Sequence, residues 1–137
     1  MPGNDAGKIL VADNDEDVLV ALERALEERG YATTVALSGA EACRLLSAGG
    51  FDLLVLDDSL SDRDSVQTLT ECRNAGIRLL AVVTYHRFPS IDQAARLREL
   101  GVRALIDKRA HSDLIEIVDH LLTPLSAGQR RAFESIT

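Results

Sequence analysis

With 137 residues, 46% hydrophobic and 27% charged, the chain is sized for one globular domain, and with 4% aromatics its core must be aliphatic. A formal net charge of −7 argues against a nucleic-acid-binding surface, which needs a basic face. No run of roughly 18 apolar residues occurs and the first seven residues hold no apolar core, so neither a membrane span nor a signal peptide is expected and the protein reads as cytoplasmic.

Residues 1–7 read as an N-terminal tail and residues 8–122 as one domain. Lys8-Ile9-Leu10-Val11-Ala12 is an apolar strand that stops at Asp13-Asn14-Asp15-Glu16-Asp17. From residue 18 to 26, Val18, Leu19, Leu22 and Leu26 mark one helical stripe, and Gly30 ends the helix, so some of the preceding acids serve as caps. Residues 31–36 form a short strand, and Ser38 with Glu41 predicts a capping box that opens a helix through Leu46, broken by Gly49-Gly50.

Phe51-Asp52-Leu53-Leu54-Val55-Leu56-Asp57-Asp58 is the central stretch. Its four unalternated apolar residues are too few for a buried helix and suit a strand covered on both faces, as in a parallel sheet. Asp64 with Gln67 starts a third helix, with Val66 and Leu69 inward and Gly76 as its stop. Residues 77–83 form a fourth strand ending at Thr84. A bulky loop follows, then a helix capped by Ser90 and Gln93 that carries Ile91, Ala94, Ala95, Leu97 and Leu100. Residues 102–106 make a fifth strand ending at Asp107-Lys108. Ser112 opens a last helix with Leu114, Ile115, Val118, Leu121 and Leu122 on its stripe, before Thr123-Pro124 interrupts. Five βα units in series predict an α/β fold with a parallel sheet, right-handed crossovers and helices on both faces.

Ligands of open α/β sheets gather beyond the carboxyl ends of the strands, so Asp13 and its neighbours, Asp57, Thr84 and Lys108 are expected on one rim. With the first and third strands adjacent, Asp13, Asp15 and Asp57 converge, and carboxylates that close repel unless protonated or bridged by a cation. All-oxygen ligands favour Mg2+, which keeps waters and takes phosphate oxygens. Thr84 supplies a hydroxyl and Lys108 a point charge to the same phosphoryl group. A carboxylate nucleophile, a metal, a hydroxyl and a lysine make an aspartyl-phosphate site.

These residues, in this order, resemble the receiver domain of response regulators in two-component signalling, from Lys8 to Leu122. The resemblance implies a flavodoxin-like, doubly wound five-stranded sheet of order 2-1-3-4-5. It further implies phosphoryl transfer from a histidine kinase or phosphotransfer protein to Asp57, with no enzyme activity beyond phosphoryl transfer to and from itself. Asp13, Asp57 and the main-chain carbonyl of Ser59 are implied to surround Mg2+, Thr84 to sense the phosphoryl group and Lys108 to bind it. Switching is expected at the face of the fourth helix, fifth strand and fifth helix. There Arg96, Arg103, Glu116 and Asp119 would be at least partly exposed, offering both signs of charge for a homodimer or a surface for a downstream protein or output domain.

The sequence also departs from that pattern. Asn14 stands where the family has a second acid, which makes it a weak or indirect metal ligand. Ser61 replaces a loop Pro, Ser65 a Gly, Arg109 the Pro after the lysine, and Leu105 an aromatic. These departures support a second reading, a receiver-like interaction module that works without phosphorylation. A third takes Asp13-Asn14-Asp15 as the Asp-x-Asp of haloacid-dehalogenase-like phosphatases, with Asp13 as nucleophile and Asp15 as general acid, but that family's late acidic motif and cap are missing. Cys43 and Cys72 read as buried reduced thiols, and His86, His111 and His120 as solvent-facing. In the tail, residues 123–137, Leu125, Gln129, Phe133 and Ile136 share one helical face. That stretch is expected to be an extra helix, a frayed end or the start of an output domain.

Overall fold

The computed structural model describes residues 6–123, so the expectation of a helix around Leu125, Gln129, Phe133 and Ile136 lies outside the described residues. Five βα units run in series: β1 (Lys8–Ala12), α1 (Glu16–Glu28), β2 (Ala32–Ala36), α2 (Gly39–Ser47), β3 (Leu53–Asp57), α3 (Ser65–Asn74), β4 (Leu80–Tyr85), α4 (Ile91–Glu99), β5 (Val102–Asp107) and α5 (His111–Leu122). The strands pair in parallel, as the alternation predicts, and in the order β2-β1-β3-β4-β5, the flavodoxin-like doubly wound sheet that the resemblance implies. β3 lies at the centre and is buried at every position.

Because strand side chains alternate, each apolar run feeds both faces. Leu10, Leu54, Leu56 and Val83 pack under α2, α3 and α4 with Leu46, Leu69 and Leu97. Ile9, Val11, Val55 and Val82 pack under α1 and α5 with Leu22, Leu26, Leu114 and Val118. Both faces are covered, which is why these strands read as unalternated in sequence. Among the described residues no helix is long and apolar enough to cross a membrane.

Several element ends differ from the sequence reading, each for a bonding reason. β4 starts at Leu80 rather than at residue 77, because the Ile77 amide donates to the Cys72 carbonyl (3.0 Å) and closes α3. β2 starts after Tyr31, whose amide donates to the Leu26 carbonyl at the end of α1. The Ser38 cap holds its Glu41 amide (3.1 Å), but the Glu41 carboxylate reaches past the cap to accept from the Leu37 amide (2.8 Å), so the predicted box is only half made. The boxes at Asp64/Gln67 and Ser90/Gln93 are complete. α5 begins at His111 without any side-chain cap, one residue before the predicted Ser112, since the Leu114 amide already bonds to the Ala110 carbonyl (3.1 Å).

The largest difference concerns α4. Ile91, counted on its apolar stripe, is 86% exposed, Ala95 is exposed too, and Leu97 alone on this helix is fully buried. One side chain therefore anchors α4. Leu97→Ala should cost about 2–4 kcal/mol in urea unfolding, from lost burial plus the cavity left behind, whereas Ile91→Ala should stay within about 0.5 kcal/mol. Equal losses in the two variants would show that α4 is seated differently.

Candidate functional site

The rim at the carboxyl ends of the strands is built by extending the ladders one residue past each strand. The Asp13 amide donates to the Ala36 carbonyl (3.1 Å), the Asp58 amide to the Thr84 carbonyl (2.8 Å) and the Lys108 amide to the Tyr85 carbonyl (2.9 Å). Asp57 and Thr84 are register partners across β3 and β4. The backbone thus brings Asp13, Asp57, Thr84 and Lys108 to one edge, as the sequence predicts.

At that edge the Lys108 ammonium bridges two carboxylates. Its Nζ lies 2.8 Å from Asp13 Oδ2 and 2.9 Å from Asp57 Oδ2, and its side chain is only 7% exposed. The other oxygens are engaged too: Asp13 Oδ1 accepts from the Asp15 amide (2.9 Å) and Asp57 Oδ1 from the Ser59 amide (3.2 Å). Burial raises the Asp57 pKa above its ordinary 3.8, and the hydrogen bonds from Lys108 and Ser59 offset this only in part. Burial pulls Lys108 down, but the hydrogen bonds to Asp13 and Asp57 outweigh it and hold its pKa above 10.5.

Asp15 does not join this group, contrary to the expected convergence of three acids. Its Oδ1 is the N-cap of α1, accepting from the Asp17 (3.0 Å) and Val18 (3.4 Å) amides, because four unsatisfied amides at a helix start compete for the nearest carboxylate. Among the described residues no three His, Cys, Asp or Glu side chains stand together as a metal-holding group. Asn14 is exposed and lines the same cleft as Asp57, Ser59 and Lys108.

Of the residues that break the sequence pattern, Ser65, Arg109 and Leu105 are engaged by neighbours, whereas Ser61 is exposed. Ser65 is fully buried, and its hydroxyl donates to Asp58 Oδ1 (2.6 Å), fixing the residue next to Asp57. Arg109 folds back on Asp107 through its amide, Nε and NH2, and these hydrogen bonds hold the Asp107 pKa down at about 2. Leu105 is half-buried against the core under α4, and Tyr85 packs edge-on against Phe88 with ring centroids 5.3 Å apart. His86, His111 and His120 are exposed, as expected. Asp119 is half-buried but turned away from α4, because it accepts from the Tyr31 hydroxyl (2.6 Å) and pairs with Arg29.

One contact had no signal in the sequence. Asp62, in the loop after β3, caps α2 from outside, accepting from the Gly39 and Ala40 amides at 2.9 Å each. Arg63 beside it pairs with Asp62 and with Glu71 of α3. The loop that follows Asp57 is therefore pinned to two helices.

A family model described as the response regulator receiver domain matches residues 9–119. The chain belongs to the response regulator receiver family. PrrA, a transcriptional regulatory protein of Mycobacterium tuberculosis, is 30% identical over 130 residues, which are 95% of this chain and 56% of PrrA. The alginate biosynthesis transcriptional regulatory protein AlgB of Pseudomonas putida is 30% identical over 112 residues, covering 81% of this chain and 25% of AlgB. This receiver thus spans little more than half of one relative and a quarter of the other. A Francisella response regulator receiver domain superposes with a TM-score of 0.76 at 26% identity, covering 85% of this chain and 96% of that one. The CheY-like receiver domain from Methanospirillum hungatei shares the fold at a TM-score of 0.78 and 22% identity, covering 85% of this chain and 93% of its own. The protein is accordingly a signalling domain of the two-component type.

The raised pKa of Asp57 has a consequence for stability. A carboxyl whose folded pKa exceeds its unfolded value binds its proton more tightly when folded, so its contribution is greatest at low pH and is lost as pH rises through the folded pKa. Asp57→Asn, which keeps an acceptor for Lys108 and cannot ionise, should be more stable than wild type at pH 7 in chelator. The gap should close as pH falls toward 3.8. Thermal melts at a series of pH values check this, and a gap that widens on acidification would reverse the sign.

Proposed function

We propose that this receiver works in the cytoplasm and accepts a phosphoryl group on Asp57 from the phosphohistidine of a histidine kinase or phosphotransfer protein, with Mg2+, and switches a protein-binding surface in response. The observation that carries the reading is the Lys108 ammonium held between Asp13 and Asp57, beside Thr84, on the rim of a parallel sheet. In the transfer, an Asp57 oxygen attacks phosphorus. The O–P bond forms as the donor's P–N bond breaks, and the donor nitrogen leaves with the electron pair. Lys108 supplies positive charge to the phosphoryl oxygens, and Thr84, one strand over, supplies a hydroxyl.

The donor set fits Mg2+ in kind, since Asp13, Asp57 and the Ser59 carbonyl offer only hard oxygens. Bound there, the ion would neutralise phosphoryl charge. It fits weakly in charge: Asn14 contributes a neutral oxygen, Asp15 is spent on α1, and Lys108 already shares both carboxylates. These facts favour lower metal affinity than a receiver with a second free acid would have.

A small phosphodonor such as acetyl phosphate with Mg2+ should place an acyl phosphate on Asp57, located by mass spectrometry, and Asp57→Asn should abolish it. Asn14→Asp should tighten Mg2+ by about 1 kcal/mol, roughly fivefold, with the same acceptor used. An unlabelled Asp57 in wild type would favour the phosphorylation-independent module, and label on Asp13 the phosphatase reading.

The switching surface we assign to α4, β5 and α5 presents exposed Arg96, Arg103 and Glu116, with Ile91 and Phe88 beside them. A mixed-charge face with exposed apolar residues suits a two-fold self-contact. Sedimentation equilibrium with a beryllofluoride phosphate mimic should show a dimer weakened by Arg103→Glu. A monomer at high concentration would leave this face to a downstream protein or output domain.

A further inference from the structure

Away from the rim, two cysteines distant in sequence meet where α2 packs on α3. Cys43 Sγ and Cys72 Sγ lie 3.8 Å apart. Cys72 is buried on the inner side of α3, whereas Cys43 on α2 is half-buried and keeps a path to solvent. The Cys43 thiol also reaches Glu71 Oε2 (3.5 Å) and the Thr68 carbonyl (3.8 Å), and Glu71 is itself held by Arg63. Glu71 is taken up by Arg63, and among the described residues no group of three His, Cys, Asp or Glu side chains stands together that could hold a metal here.

We propose that Cys43 and Cys72 are a modification site: a reversible intramolecular disulfide that joins α2 to α3 when the protein meets a low-molecular-weight disulfide such as oxidised glutathione. To bond, the sulfurs must close by about 1.8 Å, a movement within reach of side-chain rotation on two packed helices. Cys43, the accessible partner, loses its proton to solvent and attacks one sulfur of the small disulfide. A mixed disulfide forms, and the first small thiol departs. Cys72 then loses its proton and attacks Cys43 Sγ, expelling the second small thiol. One small disulfide is reduced to two thiols as the protein dithiol is oxidised by two electrons.

Burial raises both thiols, with Cys43 pushed up to about 12 by burial first and then by Cys72 and Glu71, so little thiolate exists near neutrality. The site is therefore a slow one. The ring it closes, across 29 positions, contains β3, Asp57 and the loop pinned by Asp62. Oxidation would constrain the unfolded chain around that whole stretch.

The test uses the full chain in its native state, incubated with oxidised glutathione at pH 8.5, quenched in acid and weighed intact. The expected product has lost about 2 Da, has no free thiol, runs as a monomer without reductant, gives a peptide linking residues 43 and 72, and reverts with dithiothreitol. Its melting temperature should rise by about 5 °C or more. Cys72→Ala should stop at the mixed disulfide on Cys43, while Cys43→Ala should remain unmodified. A wild-type protein that retains glutathione on Cys43 beside a free Cys72 overturns the proposal, as does one that yields only intermolecular dimers. Because the wild-type mass and peptide map decide the matter, the outcome does not depend on either variant folding.

Discussion

The Lys108 bridge between Asp13 and Asp57 is the constraint on which the rest of the rim depends. All three side chains are at most 7% exposed, so none can turn to water to escape its neighbours. Two unit charges 4 Å apart interact by about 4 kcal/mol at an effective dielectric constant near 20, enough to drive a pair of adjacent carboxylates apart or force a proton onto one of them. A shared ammonium replaces that repulsion with two attractions. It also leaves one uncompensated negative charge. Removing Lys108 would leave two buried carboxylates without their shared cation, whereas removing the charge of one carboxylate leaves a neutral buried ion pair. In this way the end of β1, the end of β3 and the turn after β5 are held together by charge as well as by ladder hydrogen bonds.

Four other acids near the rim already have a task. Asp15 caps α1, Asp58 holds the Ser65 hydroxyl, Asp62 caps α2 from across the loop, and Asp107 is folded against Arg109. The acidic composition of the chain therefore does not become an acidic pocket. What remains together at the rim is the Asp13, Asp57 and Lys108 trio, with Asn14 exposed at its edge. The same bonds divide the molecule mechanically. The loop after β3 is tied to α2 and α3, whereas α4 rests on one buried leucine and exposes Ile91.

Much of this was legible in the chain because it depends on near neighbours. Apolar run length distinguished strands from helices, and Asp64 with Gln67 or Ser90 with Gln93 announced helix starts that the structure bears out. The left-handed glycines Gly30, Gly76 and Gly101 marked the helix ends. The order of Asp13, Asp57, Thr84 and Lys108 placed them on one rim as soon as the strands were taken as parallel, since every strand then ends on the same side. The strand ladders were less exact in sequence: Ile77 and Leu79 extend the apolar run of β4, but the Ile77 amide is taken by the Cys72 carbonyl at the end of α3 and the strand begins only at Leu80.

What only the tertiary structure decided are the pairings between distant residues. Lys108 and Asp57 are 51 positions apart, and nothing local states that the ammonium would also claim Asp13, or that Asp15, two residues on, would be lost to a helix cap. Asp62 at the start of α2, Asp119 against Tyr31 and the contact of Cys43 with Cys72 have the same origin. Sequence by itself determined which chemical groups this protein owns and on which side of the sheet they emerge, because capping, periodicity and chain direction act over a few residues. The strand order and the seating of the helices determined which of those groups touch, because charge, hydrogen bonding and packing respond to distance in space and not along the chain.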